Sequence, residues 1–127
     1  MAAIIVSKYL DSLPLYRQEE IFKRYGIQIP RQTMARWVID VSLKVIPLYN
    51  LLQETALSSD YLQMDETTVQ VLKEKGKKAT TNSYMWVRYQ PGNNPIILYD
   101  YAPTRSGSVP IELLSGFKGY LQTDGYE

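Results

Sequence analysis

The spacing of apolar residues changes at about residue 60, and this change limits the chain to helices followed by a sheet. Before it, apolar residues repeat at spacings of three and four, which predicts a short helix ending near Gly26 and a longer one after Pro30. From Tyr61 the spacing is two and β-branched residues are frequent, which is typical of strands. The predicted fold class is therefore α+β or α/β, with helices over 15–57 and a mixed sheet over 61–126.

The helical part has the outline of a helix-turn-helix, a DNA-binding motif in which two helices flank a short turn. Residues 17–44 carry a net charge of +3, and Arg31 and Arg36 lie on the second predicted helix, where they are candidate DNA contacts. A plain helical hairpin with two solvated arginines explains the same pattern. Pro47 should kink the longer helix or make it restart, because a proline ring disturbs a helix interior.

The strand part contains two copies of one pattern, "YLQMD" ending at Asp65 and "YLQTD" ending at Asp124. From Tyr61 onward, turn residues separate three runs that predict antiparallel strands. A helix is predicted near 107–117, before the second copy. A helical crossover lets a fourth strand lie parallel to the first. The two copies would then be neighbours in register, with Asp65 beside Asp124.

Two adjacent carboxylates repel each other, so this predicted pair needs an explanation. A divalent cation supplies one, because Mg²⁺ prefers oxygen ligands and is commonly held by one or two carboxylates together with a substrate phosphate. The chain has no histidine and no cysteine, which excludes a Ser-His-Asp triad, a thiolate nucleophile and most transition-metal sites. The alternative is an ordinary strand-end aspartate and an ordinary turn aspartate.

Three other charged residues accompany the predicted pair. Arg105 and Lys118 are candidate phosphate contacts, although isolated basic residues of this kind are usually solvated. Glu66 follows Asp65 directly, and strand alternation points it to the opposite face of the sheet. This position favours a supporting role for Glu66 over metal ligation.

The sequence resembles a known family over essentially its whole length. The stretches "KYLDSLPLYRQEEIFKRYGIQIPRQTMARWV", "MDET", "WVRY", "PTRSG" and "FKGYLQTDGY" resemble the central part of insertion sequence 66 family transposases. The resemblance implies a helical, helix-turn-helix-like segment over 1–57 and the start of a ribonuclease H-like catalytic domain over 58–127. It also implies that Asp65 and Asp124 are the first two acidic residues of a DDE triad, which binds Mg²⁺ or Mn²⁺.

Two features of that family have no counterpart in the chain: the third acidic residue, a glutamate on a later helix, and a cysteine-rich zinc-binding segment. We therefore expect a fragment of a DNA transposase, truncated at both ends and inactive by itself. By the resemblance, its partners are transposon ends and target DNA, and its location is the bacterial cytoplasm, with no membrane segment. The fourth strand should leave an unpaired sheet edge through which copies self-associate.

Two other functions fit the sequence. One is a DNA-binding helix-turn-helix module over residues 12–46 whose sheet serves in assembly. The other is a ribonuclease H-like, structure-selective nuclease. A localised response of Asp65 and Asp124 to Mg²⁺ would separate the metal-dependent enzymes from the binding module.

Overall fold

The structure is a computed structural model that describes residues 1–72, 74–78 and 80–124. Its contacts divide the chain into two units, Met1–Tyr49 and a second that begins at Asn50. Helices come first and a four-stranded mixed sheet follows, which confirms an α+β fold. The predicted domain boundary between residues 57 and 58 stays a prediction. Residues 125–127 of the predicted catalytic segment lie outside the described part.

The first unit contains a helix that the sequence analysis did not predict. This helix, α1 (Ala2–Tyr9), has no acidic residue in its first turn and no side-chain cap, so it lacks the usual signals of a helix start. The amide of Gln18, which is buried, donates hydrogen bonds to the carbonyls of Ile4 at 3.2 Å and Leu13 at 3.0 Å. A buried side chain from the next helix therefore ties α1 in place.

The next helix, α2 (Leu15–Arg24), ends where the glycine signal predicts. Gly26 has a φ of 74°, the left-handed conformation that glycine adopts without a steric penalty. The N–H of Ile27 bonds to the carbonyl of Phe22 at 2.9 Å, and that of Gly26 bonds to Lys23 at 3.0 Å. These two bonds form a Schellman motif, which satisfies carbonyls at the end of the helix.

The third helix, α3 (Arg31–Leu57), continues through Pro47, so the predicted restart at that residue is wrong. Pro47 has no N–H to donate to the carbonyl of Leu43, one turn earlier. Residues 43–48 are exposed, so water can hydrate the carbonyl that the proline leaves unbonded. An exposed position explains how the helix accommodates a residue that a buried helix interior would reject. Within the described residues, no helix is long and apolar enough to cross a membrane.

The second unit holds a sheet with strand order β3-β2-β1-β4. Its strands are β1 (Tyr61–Gln70), β2 (Asn82–Gln90), β3 (Ile96–Ala102) and β4 (Tyr120–Gln122). The pairs β1–β2 and β2–β3 are antiparallel, whereas β4 runs parallel to β1. The crossover helix α4 (Ser108–Leu113) lies between β3 and β4 and is shorter than the predicted 107–117. The predicted topology is confirmed.

The two faces of this sheet differ in what covers them. On the covered face, Met64, Trp86 and Ala102 form a buried cluster against side chains at and beside α4, among them Val109 and Leu113. On the open face, residues such as Tyr99 and Ile97 remain 62% and 52% exposed. Asp65 belongs to the open face, because its cross-strand partner in β2 is Val87, which in turn pairs with Tyr99.

A buried arginine fixes the centre of the covered face. Arg88 is 1% exposed, and its Nε and Nη2 donate to Oδ2 of Asp100 at 3.0 and 2.9 Å. Its Nη1 donates to the carbonyl of Leu113 at 2.8 Å, at the end of α4. One side chain therefore links β2, β3 and the crossover helix, with its charge compensated by a carboxylate.

Candidate active site

The parallel pairing of β1 and β4 places the two copies of the repeated pattern side by side. Tyr61 pairs with Tyr120, Leu62 with Leu121, and Gln63 with Gln122. Asp65 and Asp124 each follow two positions after the last of these pairs, Asp124 just beyond the end of β4, and both line one cleft. The prediction that these two aspartates are neighbours is therefore confirmed. Their chemical role stays a prediction.

The repeated tyrosine and glutamines form a side-chain ladder across the two strands. The amide nitrogen of Gln63 donates to Oε1 of Gln122 at 2.9 Å and to the hydroxyl of Tyr61 at 3.0 Å. The Tyr61 hydroxyl also donates to Oε1 of Gln122. Because the bond between Gln63 and Gln122 joins equivalent positions of the two copies, it favours the register that brings Asp65 and Asp124 together.

The start of β4 is anchored on the backbone that precedes β1. The N–H of Tyr120 donates to the carbonyl of Asp60 at 2.8 Å. Gly119 lies so close to the same carbonyl that an added Cβ would stand 2.4 Å from its oxygen. Only glycine permits this approach, so Gly119 determines how near β4 comes to β1.

Asp65 and Asp124 line one cleft of about 420 Å³. Asp65 is exposed, and its Oδ1 accepts the N–H of Glu66 at 2.8 Å, which orients the carboxylate. Met64 and Glu66 of β1 also line the cleft, together with residues of β2 and residues whose side chains carry amide or hydroxyl oxygens. The lining includes Gln63, Thr67, Val87, Tyr89, Gln122 and Thr123.

The chemistry of these donors fits a hard divalent cation. Carboxylate and amide oxygens are the ligands that Mg²⁺ takes from proteins, usually with several waters retained. In the described part of the chain, however, no group of three acidic, histidine or cysteine side chains comes together. The two aspartates are therefore suited to provide part of a metal site, which substrate oxygens, water and a further carboxylate would complete.

Glu66 lies on the covered face, opposite to Asp65, as strand alternation predicts. It pairs across the sheet with Trp86, and its Oε1 accepts a hydrogen bond from Nε of Arg105 at 2.6 Å. This bond raises the pKa of the Arg105 guanidinium, and the negative charge of Asp124 adds a smaller contribution in the same direction. The Arg105 guanidinium is thus hydrogen-bonded to Glu66 and is also attracted by the charge of Asp124, a predicted metal ligand.

The remaining predicted contacts are on the surface. Arg31 and Arg36 are exposed on α3 in the first unit, and Lys118 is exposed between α4 and β4 in the second. Exposure permits contact with DNA, but a DNA-binding role for these three residues stays a prediction. Arg105 is the predicted phosphate contact that the structure brings into one cavity with Asp124.

Sequence reasoning missed two features of this site. The ladder of Gln63 and Gln122 had a visible signal, because both glutamines belong to the repeated pattern that predicted the strand pairing. The bond between Glu66 and Arg105 had none, since the residues are 39 positions apart and lie on different elements.

Comparison with known proteins gives a consistent result. A family model described as "Transposase IS66 family" matches residues 1–127. Among curated proteins, "Uncharacterized protein y4qI" of Sinorhizobium fredii (strain NBRC 101917 / NGR234) is 34% identical over 132 residues, which are 99% of this chain and 24% of that protein. "Uncharacterized protein y4jD" of the same strain is 34% identical over 131 residues, which are 98% of this chain and 25% of that protein.

The chain therefore spans about a quarter of the length of these curated relatives. No solved structure matches it significantly.

Proposed function

The chain belongs to the Transposase IS66 family, and from this premise we propose that it forms part of the catalytic region of a transposase that cleaves and joins DNA strands with divalent metal ions. The observation that carries the proposal is the position of Asp65 and Asp124, which lie on and just beyond two parallel neighbouring strands and line one cleft. Phosphoryl transfer of this kind needs carboxylates and metal ions but no histidine or cysteine.

The topology supports a ribonuclease H-like assignment for the segment from residue 58. Three antiparallel strands, a helical crossover and a fourth strand parallel to the first are the elements that the family resemblance implies. In this assignment Asp65 and Asp124 are the first two acids of the DDE triad.

Asp65 and Asp124 would hold Mg²⁺ or Mn²⁺ through their carboxylate oxygens. When bound, such an ion stabilises negative charge on the oxygens around the phosphorus atom that is attacked. Since no third acidic side chain joins the pair among the described residues, a glutamate from another part of the transposase completes the site. The 127-residue chain alone is therefore expected to lack strand-transfer activity.

The proposed partners are the transposon ends and the target DNA, in the bacterial cytoplasm. Arg31, Arg36 and Lys118 are exposed and would contribute contacts to DNA phosphates, while Arg105 would act at the site itself. Among the described residues, strand β4 pairs with β1 alone, and all three residues of β4 are exposed. This free edge is the surface through which we propose that copies associate.

Metal binding by the chain itself tests the proposal. In a Mg²⁺ titration of the ¹⁵N-labelled protein, amide shifts should move at 63–67 and 122–124 in the millimolar range. Asp65→Asn and Asp124→Asn are nearly isosteric and should each weaken the response by about tenfold or more. Asp60→Asn is the matched control, because this exposed aspartate directly precedes β1 yet does not line the cleft.

The same substitutions test catalysis in a complete transposase that contains this chain. Asp65→Asn or Asp124→Asn should each abolish metal-dependent strand cleavage and joining, because ligands that act as a unit are not additive. Full activity of Asp65→Asn would refute the assignment. DNA binding that maps to residues 12–46, with no metal response at the aspartates, would favour a DNA-binding module instead.

A further inference from the structure

A second cavity of about 360 Å³ lies beside the cleft and shares Asp124 with it. Its polar lining comes from Glu66, Arg105, Thr123 and Asp124, and Trp86 forms part of its apolar wall. The indole N–H of Trp86 is buried, and no acceptor lies within hydrogen-bonding distance of it in the described part of the chain. The cavity thus combines the guanidinium of Arg105 and the hydroxyl of Thr123, both of which can donate to an anion.

Arg105 is held at this cavity by one side of its guanidinium. Nε donates to Glu66 at 2.6 Å, and no acceptor from the described residues bonds to the two terminal nitrogens. The Arg105 side chain is 43% exposed, whereas that of Glu66 is 16% exposed. The carboxylate is therefore a fixed support, and the terminal nitrogens remain available for a planar, two-pronged contact with phosphate oxygens.

Glu66 also determines which carboxylate Arg105 pairs with. Asp124 lines the same cavity as Arg105 and its charge acts on the guanidinium, so an arginine released from Glu66 would be attracted to Asp124. An arginine paired with Asp124 would compete with a cation for the same oxygens. The bond to Glu66 keeps the guanidinium at the cavity and away from the Asp124 oxygens.

We infer that Glu66 is a positioning residue that presents Arg105 to the phosphodiester of the DNA strand bound at the two aspartates. This inference rests on the proposed function. The carboxylates of Asp65, Glu66 and Asp124 outnumber the single guanidinium, so they repel a phosphate until a cation neutralises part of their charge. Phosphate binding at Arg105 should consequently require Mg²⁺.

The test uses the whole chain and a thymidine dinucleotide, which carries one phosphodiester. With saturating Mg²⁺, the dinucleotide should shift amides around Arg105 and Thr123, and without Mg²⁺ it should not. Arg105→Gln should weaken dinucleotide binding by about tenfold, since it removes charge-assisted hydrogen bonds, and should not weaken Mg²⁺ binding. Glu112→Gln, an exposed change on α4, is the control and should bind both ligands normally.

A double-mutant cycle isolates the positioning role. Glu66→Gln should weaken Mg²⁺ binding, because Arg105 then turns to Asp124, and the double variant Glu66→Gln/Arg105→Gln should recover it. A purely structural role for Glu66 would not predict recovery in the double variant. Melting temperatures of each variant report whether the fold is kept, and Arg105→Gln, on the surface, gives the dinucleotide result even if Glu66→Gln unfolds.

Two results would overturn the inference while the proposed function stands. One is wild-type dinucleotide affinity in Arg105→Gln, and the other is an equal effect of Glu66→Gln on Mg²⁺ affinity with and without Arg105. An absence of any Mg²⁺ response in the unmutated chain would instead overturn the proposed function.

Discussion

Two arginine–carboxylate pairs on the same unit have different surroundings, and the comparison separates the scaffold from the site. Arg88 and Asp100 have side chains that are 1% and 15% exposed, and Arg88 also bonds to the carbonyl of Leu113. Arg105 and Glu66 are 43% and 16% exposed, and their contact uses one nitrogen of the arginine. The same chemistry serves as a structural link where it is buried and as a candidate ligand contact where it is open.

The strands show the same difference. Strand β2 pairs with β1 from Asn82 to Tyr89 and with β3 from Tyr84 to Gln90, so it is held on both sides along its length. Strand β4 pairs with β1 over Tyr120–Gln122 alone, and these residues are exposed. The half of the sheet that carries Asp124 is therefore held by fewer interactions than the half that carries Arg88.

Removal of the buried arginine should have the largest effect on stability. Arg88→Met leaves the largely buried Asp100 without its partner, which should cost about 3 kcal/mol or more in the free energy of unfolding. Arg105→Met, the matched change in the open pair, should cost about 1 kcal/mol or less, because solvent screens the pair. Urea denaturation of both variants measures the difference. Equal losses would mean that burial does not distinguish the two pairs.

A methyl group at Gly119 should displace β4, the weakly held strand, and leave the other strands in place. Gly119→Ala places a Cβ against the carbonyl of Asp60, and the resulting displacement of β4 should cost about 1–3 kcal/mol. The N–H of Tyr120 should lose protection from hydrogen exchange, while amides of β2 and β3 keep theirs.

The control for this substitution is Gly107→Ala, because nothing lies within 4 Å of a Cβ built at that position. This variant should leave the exchange of Tyr120 unchanged. If Gly119→Ala left Tyr120 as protected as in the wild type, close approach at Gly119 would not be what sets the β1–β4 pairing.

A smaller effect on stability is expected from a change of pH, through a carboxyl group in the half of the sheet that carries Arg88. Hydrogen bonds from the Tyr101 and Ser83 hydroxyls lower the pKa of Glu74, which lies between β1 and β2. A carboxyl whose pKa is lower in the folded state contributes stability above its unfolded pKa, and this contribution is lost as pH falls through the folded value. The loss should therefore occur below about pH 4.3, the ordinary value for glutamate.

Melting temperatures between about pH 2.5 and pH 6 measure this contribution. Glu74→Gln should flatten the acid side of the curve, and Tyr101→Phe should flatten it partly, since one of the two hydroxyl donors remains. Identical curves for Glu74→Gln and the wild type would show that the hydroxyl bonds to Glu74 contribute nothing measurable.

The sheet and the aspartate pair were predictable because each depends on a regular pattern. Alternating apolar residues gave β1, β2 and β3, and the repeated "YLQ" with an intervening helix gave the parallel position of β4. Helix α1 was missed because its eight residues carry no cap or first-turn signal. The restart at Pro47 was wrong because the intrinsic preference of proline was outweighed at an exposed part of a long helix.

The arginine–carboxylate bonds of both pairs were harder to predict, and the reason is register. The pairing of Arg88 with Asp100 depends on β2 and β3 meeting so that Trp86 lies opposite Asp100, a detail that two residues of loop length would change. The bond of Arg105 to Glu66 depends further on the path of the chain after β3. Apolar periodicity determines elements and faces, but it does not determine which charged side chains meet.

The pairing of β4 with β1 also has a consequence for the order of events during synthesis on the ribosome. Strands β1, β2 and β3 join through local hairpins and can associate once Ala102 has emerged, whereas β4 must close a much longer loop back to β1. At about 5–20 residues per second, Asp124 follows Ala102 by roughly one to four seconds. During that interval the nascent chain displays Asp65 without Asp124, so the carboxylate pair to which we assign metal binding can form only after β4 has joined β1.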